Sequence, residues 1–195
     1  MIGEEKSLGS LKSLSPKKQL AFALLVFERM LPSLIAFSKG TGFDDSCYLQ
    51  AKDAAWAALQ NSSVDQALNQ ACIRNAPDTE KFSHELISYA LNTALAMSDI
   101  VEFTLDGRAD HIAYVSTLAQ DSVHLYLSSL EPSVVSSPEE DSRIASHPLM
   151  QQERHREEED IRFLSGLPEQ FDSKTVAAVK TRASTQAPLL PGARG

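Results

Sequence analysis

Glycine is scarce in this 195-residue chain, at 8 residues, and cysteine scarcer still, at 2. So little glycine leaves no collagen-like repeat and no glycine-rich phosphate loop. Two cysteines cannot build the framework of a small secreted domain, and Cys47 and Cys72 stand 25 residues apart without the spacing of a redox or zinc motif. They read as buried, reduced thiols. Positive charge is also in short supply: 18 basic side chains face 26 acidic ones, for a formal charge of −8. Such a surface repels phosphate backbones and anionic lipid unless its cations cluster. The nearest cluster is Lys12, Lys17 and Lys18 at the N-terminus, so neither a nucleic acid nor a membrane is expected as a partner. Long apolar runs are missing too. The best, Ala21–Phe27, is stopped by Glu28, Arg29 and then Pro32, which is too short and too charged for a bilayer span. The first residues lack the basic-then-apolar order of an export signal. The expected location is the cytoplasm.

What the chain has in plenty is Leu, Ala and Ser, at 24, 23 and 24 copies. Leu and Ala favour helix, and a chain of this length buries roughly 70% of its unfolded surface without a staple. Ser15-Pro16 starts a helix as N-cap and first-turn proline. Leu20, Leu24, Phe27, Leu31 and Leu34 then recur at alternating spacings of four and three, an apolar seam that other residues widen. Pro32 should kink this helix and Gly40–Gly42 should end it. Further helices are predicted over about 46–60, 64–74, 79–106, 111–130, 138–145, 147–166 and 173–182. The fourth, from Thr79 to Asp106, is apolar over more than half its circumference and reads as the central helix. Gly107 is placed to take a left-handed C-terminal position, and the short connection after it forces an antiparallel helical hairpin. No strand alternation or internal repeat appears. The fold class is all-α: one antiparallel bundle of about six to eight helices over residues 15–183. A flexible lead-in is expected at 1–14, a loop at 131–138 and a disordered tail at 184–195.

Catalytic signatures are absent. A carboxylate-bridged di-iron bundle needs Glu-x-x-His on two helices. This chain has Asp121-x-x-His124 once and Glu80-x-x-x-His84 at surface-pair spacing. No Gly-x-Ser-x-Gly elbow frames a serine, and neither cysteine has a nearby His or Lys to activate it. No metal, no cofactor and no catalytic residue is assigned. Charge on apolar helices is the stronger signal. Glu28 and Arg29 interrupt the first helix, while Asp99 and Glu102 interrupt the 79–106 helix. If those helices pack, Arg29 could pair with Asp99 or Glu102, either as a rim ion pair that fixes register or as one wall of a polar pocket lined by all four. A second signal is the run Arg154-His155-Arg156-Glu157-Glu158-Glu159-Asp160. No apolar residue lies between Met150 and Ile161. On that pattern the helix either stands off the core or meets a partner through Arg154, Arg156, Glu157, Glu158 and Glu159.

Three stretches resemble one family. Phe27-Glu28-Arg29-Met30-Leu31-Pro32, continued by Phe37 and Thr41-Gly42-Phe43-Asp44-Asp45, is similar to the N-terminal signature of the YjaG-like bacterial proteins, a family of unknown function. Ala90–Arg108 resembles that family's central helix and turn. His147-Pro148, Glu153, Ile161, Arg162 and Leu164 resemble its later helix, although the 154–160 charge run replaces apolar or aromatic residues found there. The resemblance covers about Ser15 to Leu167. It implies an all-helical cytoplasmic protein without established catalytic residues, associated with histidine-kinase signalling by genomic context. The expected function is a non-catalytic interaction or regulatory module, with a protein partner or self-association. The alternative is a small-molecule-binding bundle or enzyme using the polar pocket between the first and central helices.

Overall fold

A computed structural model describes residues 9–130 and 138–191. Among these residues there is no strand, and eight helices succeed one another: α1 Pro16–Thr41, α2 Ser46–Ala58, α3 Gln66–Arg74, α4 Ile87–Asp106, α5 Ala109–Leu130, α6 Pro138–Ser146, α7 Pro148–Ser165 and α8 Ser173–Thr185. A short helical turn at 9–12 precedes them. The all-α reading therefore holds, in one bundle with one continuous apolar core.

The axis of the bundle is α1, rather than the helix after Thr79. Ala21 through Phe27 are at most 1% exposed, because α1 touches α2, α4, α5, α7 and α8 around its circumference. Its length and composition would suffice to cross a membrane, and most of its apolar stretch is covered by these neighbours. The helix continues through Pro32 and ends on Gly42 at φ 75°, a left-handed position that a residue with a Cβ adopts only with strain. Across it lie α4 and α5, the antiparallel pair joined at Gly107, whose φ of 72° is the expected left-handed turn.

Helix α4 begins at Ile87, eight residues later than the periodicity predicts, for a local reason. Asp78 accepts the Glu80 N–H on its side chain and the Lys81 and Phe82 N–H groups on its carbonyl. The Phe82 ring packs edge-on against Phe37 and Phe43. His84 Nδ1 then accepts the Leu86 N–H at 3.1 Å, satisfying a donor at the helix entrance. Turn bonding and an aromatic anchor outcompete the helix that composition alone favours.

Both ends of the chain are more ordered than expected. Leu11 and Leu14 are buried, and the buried Gln19 amide donates to the Leu14 carbonyl at 2.9 Å, so the lead-in is packed from Leu11 onward. At the other end α8 runs to Thr185 and the segment after it folds back. Leu189 and Leu190 are 2% and 4% exposed, and the Leu189 N–H donates to the Arg29 carbonyl at 2.8 Å. The expected tail disorder is thus corrected as far as Pro191. Two leucines in one Pro-flanked hexapeptide carry no period, which is why the segment reads as featureless. The loop expected at 131–138 lies outside the described residues except for Pro138, which opens α6.

Candidate functional site

The first charged constellation is built inside the bundle, where α1, α7 and α8 meet. On α7, Met150, Glu153, Glu157, Asp160, Ile161 and Leu164 are the buried residues. Their spacing is that of an ordinary core stripe, with three acids in the places where leucines would normally sit. The expectation that this helix could stand off the core is corrected accordingly: it packs through a stripe whose middle is carboxylic.

Arg29 satisfies it. The Arg29 side chain is 1% exposed and reaches Glu153 Oε1 from Nη2 at 2.6 Å and from Nε at 3.1 Å. Its Nη1 donates to Asp160 Oδ2 at 2.7 Å, to Gln186 Oε1 at 2.6 Å and to the Leu25 carbonyl at 3.3 Å. Asp160 Oδ1 in turn accepts from Arg182 Nε at 2.6 Å and from Gln186 Nε2 at 2.8 Å. The Arg182 guanidinium also lies 4.9 Å over the Phe163 ring. Burial by itself disfavours the guanidinium charge, but the Glu153 and Asp160 carboxylates outweigh it and hold Arg29 protonated more firmly than in water. Glu153 feels the reverse balance. Its burial pushes the carboxyl pKa up against the pull of Arg29.

Glu157 extends the network towards α5. Ser116 Oγ donates to its Oε2 at 2.8 Å and Gln120 Nε2 at 3.2 Å. Its Oε1 is buried without a hydrogen-bond partner among the described residues. Burial foremost, and the neighbouring Glu153 charge next, push its carboxyl pKa up to about 8, which favours the protonated acid inside the bundle. Glu157 consequently does not belong to a partner surface. Of that predicted group, Arg154 and Arg156 are half-buried, with Arg154 Nε at 3.4 Å from Gln120 Oε1 and Arg156 at 3.7 Å from Glu153. Glu158 and Glu159 are exposed.

The pocket predicted from Glu28, Arg29, Asp99 and Glu102 is not assembled. Arg29 turns to α7 instead of α4. Half-buried Glu28 accepts from the single tryptophan, Trp56 Nε1, at 2.9 Å, and Lys180 sits 5.4 Å over the same indole. The physical reason is helical phase. Residues 28 and 29 lie about 100° apart around α1, and α4 is met at other positions, as where the Met30 backbone carbonyl accepts from Thr93 Oγ1 at 3.4 Å.

Asp99 and Glu102 form a second constellation with a partner that sequence reasoning missed, His111 at the start of α5. His111 Nδ1 is 2.9 Å from Asp99 Oδ1 and 3.4 Å from Glu102 Oε2, while its Nε2 is 3.2 Å from Asp106 Oδ2. Burial would lower the imidazole pKa, but its hydrogen bonds to Asp99 and Asp106 win and raise it. Burial raises the Asp99 pKa, with His111 opposing. The Gly107 turn is what makes the cluster: it reverses the chain within three residues and lays the first turn of α5 against the last turns of α4. Two acids three apart, a helix end and a histidine four residues past the glycine are the signal that could have found it. Beside the cluster is a pocket of about 190 Å³ lined by Ile73, Ala76, Ala94, Leu95, Ser98, Asp99 and Glu102.

Other groups that the sequence singles out have partners of their own within the fold. His147 caps α7 by accepting the Leu149 N–H. Lys12 pairs with Asp110, Lys17 with Asn61 and Lys18 with Glu169. Cys47 is half-buried and Cys72 buried, both free thiols. Burial, with Cys47 adding to it, pushes the Cys72 thiol up to about 12, far from the reactive range.

Comparison with known proteins agrees with this architecture. A solved structure of a DUF416 family protein from Shewanella baltica OS155 superposes with a TM-score of 0.81 over 91% of this chain and 92% of the other, at 19% identity. At that identity the likeness is one of fold. No curated protein matches the chain. The family model for proteins of unknown function (DUF416) matches residues 6–187, nearly all of the bundle just described, and the chain belongs to that family.

Proposed function

We propose that this protein is a non-catalytic interaction or regulatory module of the bacterial cytoplasm, a YjaG-like member of its family working in a signalling context. The observation that supports it is how the charge of α7 is divided. Glu153, Glu157 and Asp160 point inward, where Arg29, Arg182, Ser116 and Gln120 engage them. The face left to solvent carries Gln151, Gln152, His155, Glu158, Glu159 and Arg162, a polar ridge of mixed charge on which His155 lies 3.4 Å from Glu159. Such a ridge recognises by charge, and its affinity is set by electrostatic complementarity and salt. The fitting partner is a polar protein surface that offers cations to Glu158 and Glu159, and neither nucleic acid nor membrane suits it.

The test is native mass spectrometry of the protein purified from its own host, compared with the E158K/E159K double variant. A stoichiometric protein partner, or a homodimer, that the double variant loses supports the reading. A bare monomer in both preparations contradicts it. A second reading, a small-molecule-binding bundle, rests on the pocket beside Ser98, Asp99 and Glu102. A retained small mass in the same spectrum would favour it.

A further inference from the structure

The Asp99–Glu102–His111 cluster is poorly explained as mere surface polarity. Its three side chains are all at least half-withdrawn from solvent, with 17%, 39% and 14% of their areas exposed. Each offers a ligand atom, and these atoms lie within 4.8 Å of one another. A tetrahedral ion bound at about 2.1 Å holds its ligand atoms roughly 3.4 Å apart. The Nδ1 distances of 2.9 Å to Asp99 and 3.4 Å to Glu102 are therefore already close to that separation. We propose that Asp99, Glu102 and His111 form a binding site for a divalent transition-metal ion of the zinc class.

The donor set decides the class. One imidazole and two carboxylates suit a borderline ion such as Zn²⁺; magnesium and calcium prefer oxygen alone. The ring is also presented correctly. Asp106 Oδ2, 3.2 Å from Nε2, holds the outer nitrogen as an N–H donor and leaves Nδ1 as the inward ligand, the arrangement by which a carboxylate orients a metal-bound histidine. Binding replaces the Nδ1 proton, which passes to solvent, by the ion.

A separate observation points the same way. Asn69 of α3 is 5% exposed, and its Nδ2 reaches Glu102 Oε1 at 3.4 Å. The amide nitrogen therefore braces Glu102 from a third helix and leaves Glu102 Oε2 turned to His111. The adjoining pocket of about 190 Å³, walled by the same Asp99 and Glu102, leaves room for the waters that complete the coordination. This inference is independent of the partner reading: a metal at the α4–α5 turn neither needs nor precludes a protein on α7.

The experiment is calorimetric titration of Zn²⁺ into the full-length protein after chelator treatment and desalting. The expected result is one ion per chain at micromolar dissociation constant or tighter. D99N and E102Q should each weaken binding at least tenfold while leaving the far-UV circular dichroism unchanged. The C47S/C72S variant should bind as wild type. Co²⁺ loading should show ligand-field bands without thiolate-to-metal charge transfer. E102Q perturbs the most exposed of the three ligands, so it carries the test if D99N misfolds. Absence of Zn²⁺ binding by wild type would overturn the proposal. So would undiminished binding by E102Q, or loss of binding only when the cysteines are replaced.

Discussion

Replacing Arg29 by methionine would keep an unbranched apolar stem in the core and remove the buried cation that ties α1 to both α7 and α8. Left behind would be Glu153 and Asp160, at 1% and 0% exposure, with no cation for Glu153 Oε1 and only Arg182 and Gln186 for Asp160. Removing one partner of a buried ion pair costs about 3–5 kcal/mol, because the desolvated partner stays where it is. For a domain of this size about 1 kcal/mol corresponds to a melting shift of roughly 2–4 °C, so R29M should melt about 6–20 °C lower. Trp56, the single tryptophan and 5% exposed, makes urea unfolding measurable by its fluorescence. The reasoning also demands coupling. In R29M/E153Q the stranded charge on residue 153 is gone, so the double variant should be more stable than the sum of the single losses by at least about 1 kcal/mol. An R29M protein within about 1 kcal/mol of wild type, or strictly additive losses, would refute the view that these charges are mutually dependent.

Two further outcomes follow from neighbouring groups. Glu157, with its folded pKa pushed up to about 8 from an unfolded value near 4.3, is protonated when folded and ionised when unfolded between those limits. Its contribution is fully present below the unfolded value and is lost as pH rises through the folded one, on the order of 5 kcal/mol in all at about 1.4 kcal/mol per pH unit. E157Q should therefore be less pH-sensitive than wild type between pH 5 and 8 in denaturant titrations, and equal slopes would contradict the assignment. Truncation after Thr185 removes the Gln186 bridge and the burial of Leu189 and Leu190. At about 1.5–3 kcal/mol per leucine the loss should be roughly 3–6 kcal/mol by thermal melting, and an unchanged melting temperature would show the segment to be unattached.

The apolar periodicity of the sequence located α1, α5 and the class of fold, because those features depend on leucine and alanine spacing. It was blind to the buried face of α7 for a specific reason. A rule that looks for apolar residues every three or four positions finds none between Met150 and Ile161, although the same spacing is kept by Glu153, Glu157 and Asp160. Reading those acids as solvated was reasonable only without their cations, and Arg29 is 124 residues from Glu153. The singling-out of Glu28, Arg29, Asp99 and Glu102 as anomalous charges was informative, but their pairing was not legible. Which neighbour each one meets depends on rotation about the helix axis, and a 100° step sends Glu28 to Trp56 and Arg29 to α7. His111 escaped notice because it joins Asp99 only across the Gly107 turn. The packed hexapeptide after Thr185 had no helical or strand period to betray it, and its burial depends on a groove that exists only once α1, α7 and α8 are assembled.

The buried charge network can be tested most directly at the Arg29 side chain itself, by ¹H–¹⁵N spectra that resolve arginine Nε–H groups and follow their exchange with solvent. Arg29 Nε donates to Glu153 with almost none of the side chain exposed, and Arg182 Nε donates to Asp160 from a side chain 25% exposed. The account predicts a shifted Arg29 Nε–H signal that exchanges far more slowly than those of exposed arginines, with Arg182 intermediate, and its disappearance in R29M as the assignment control. An Arg29 Nε–H exchanging as fast as a surface arginine would contradict it.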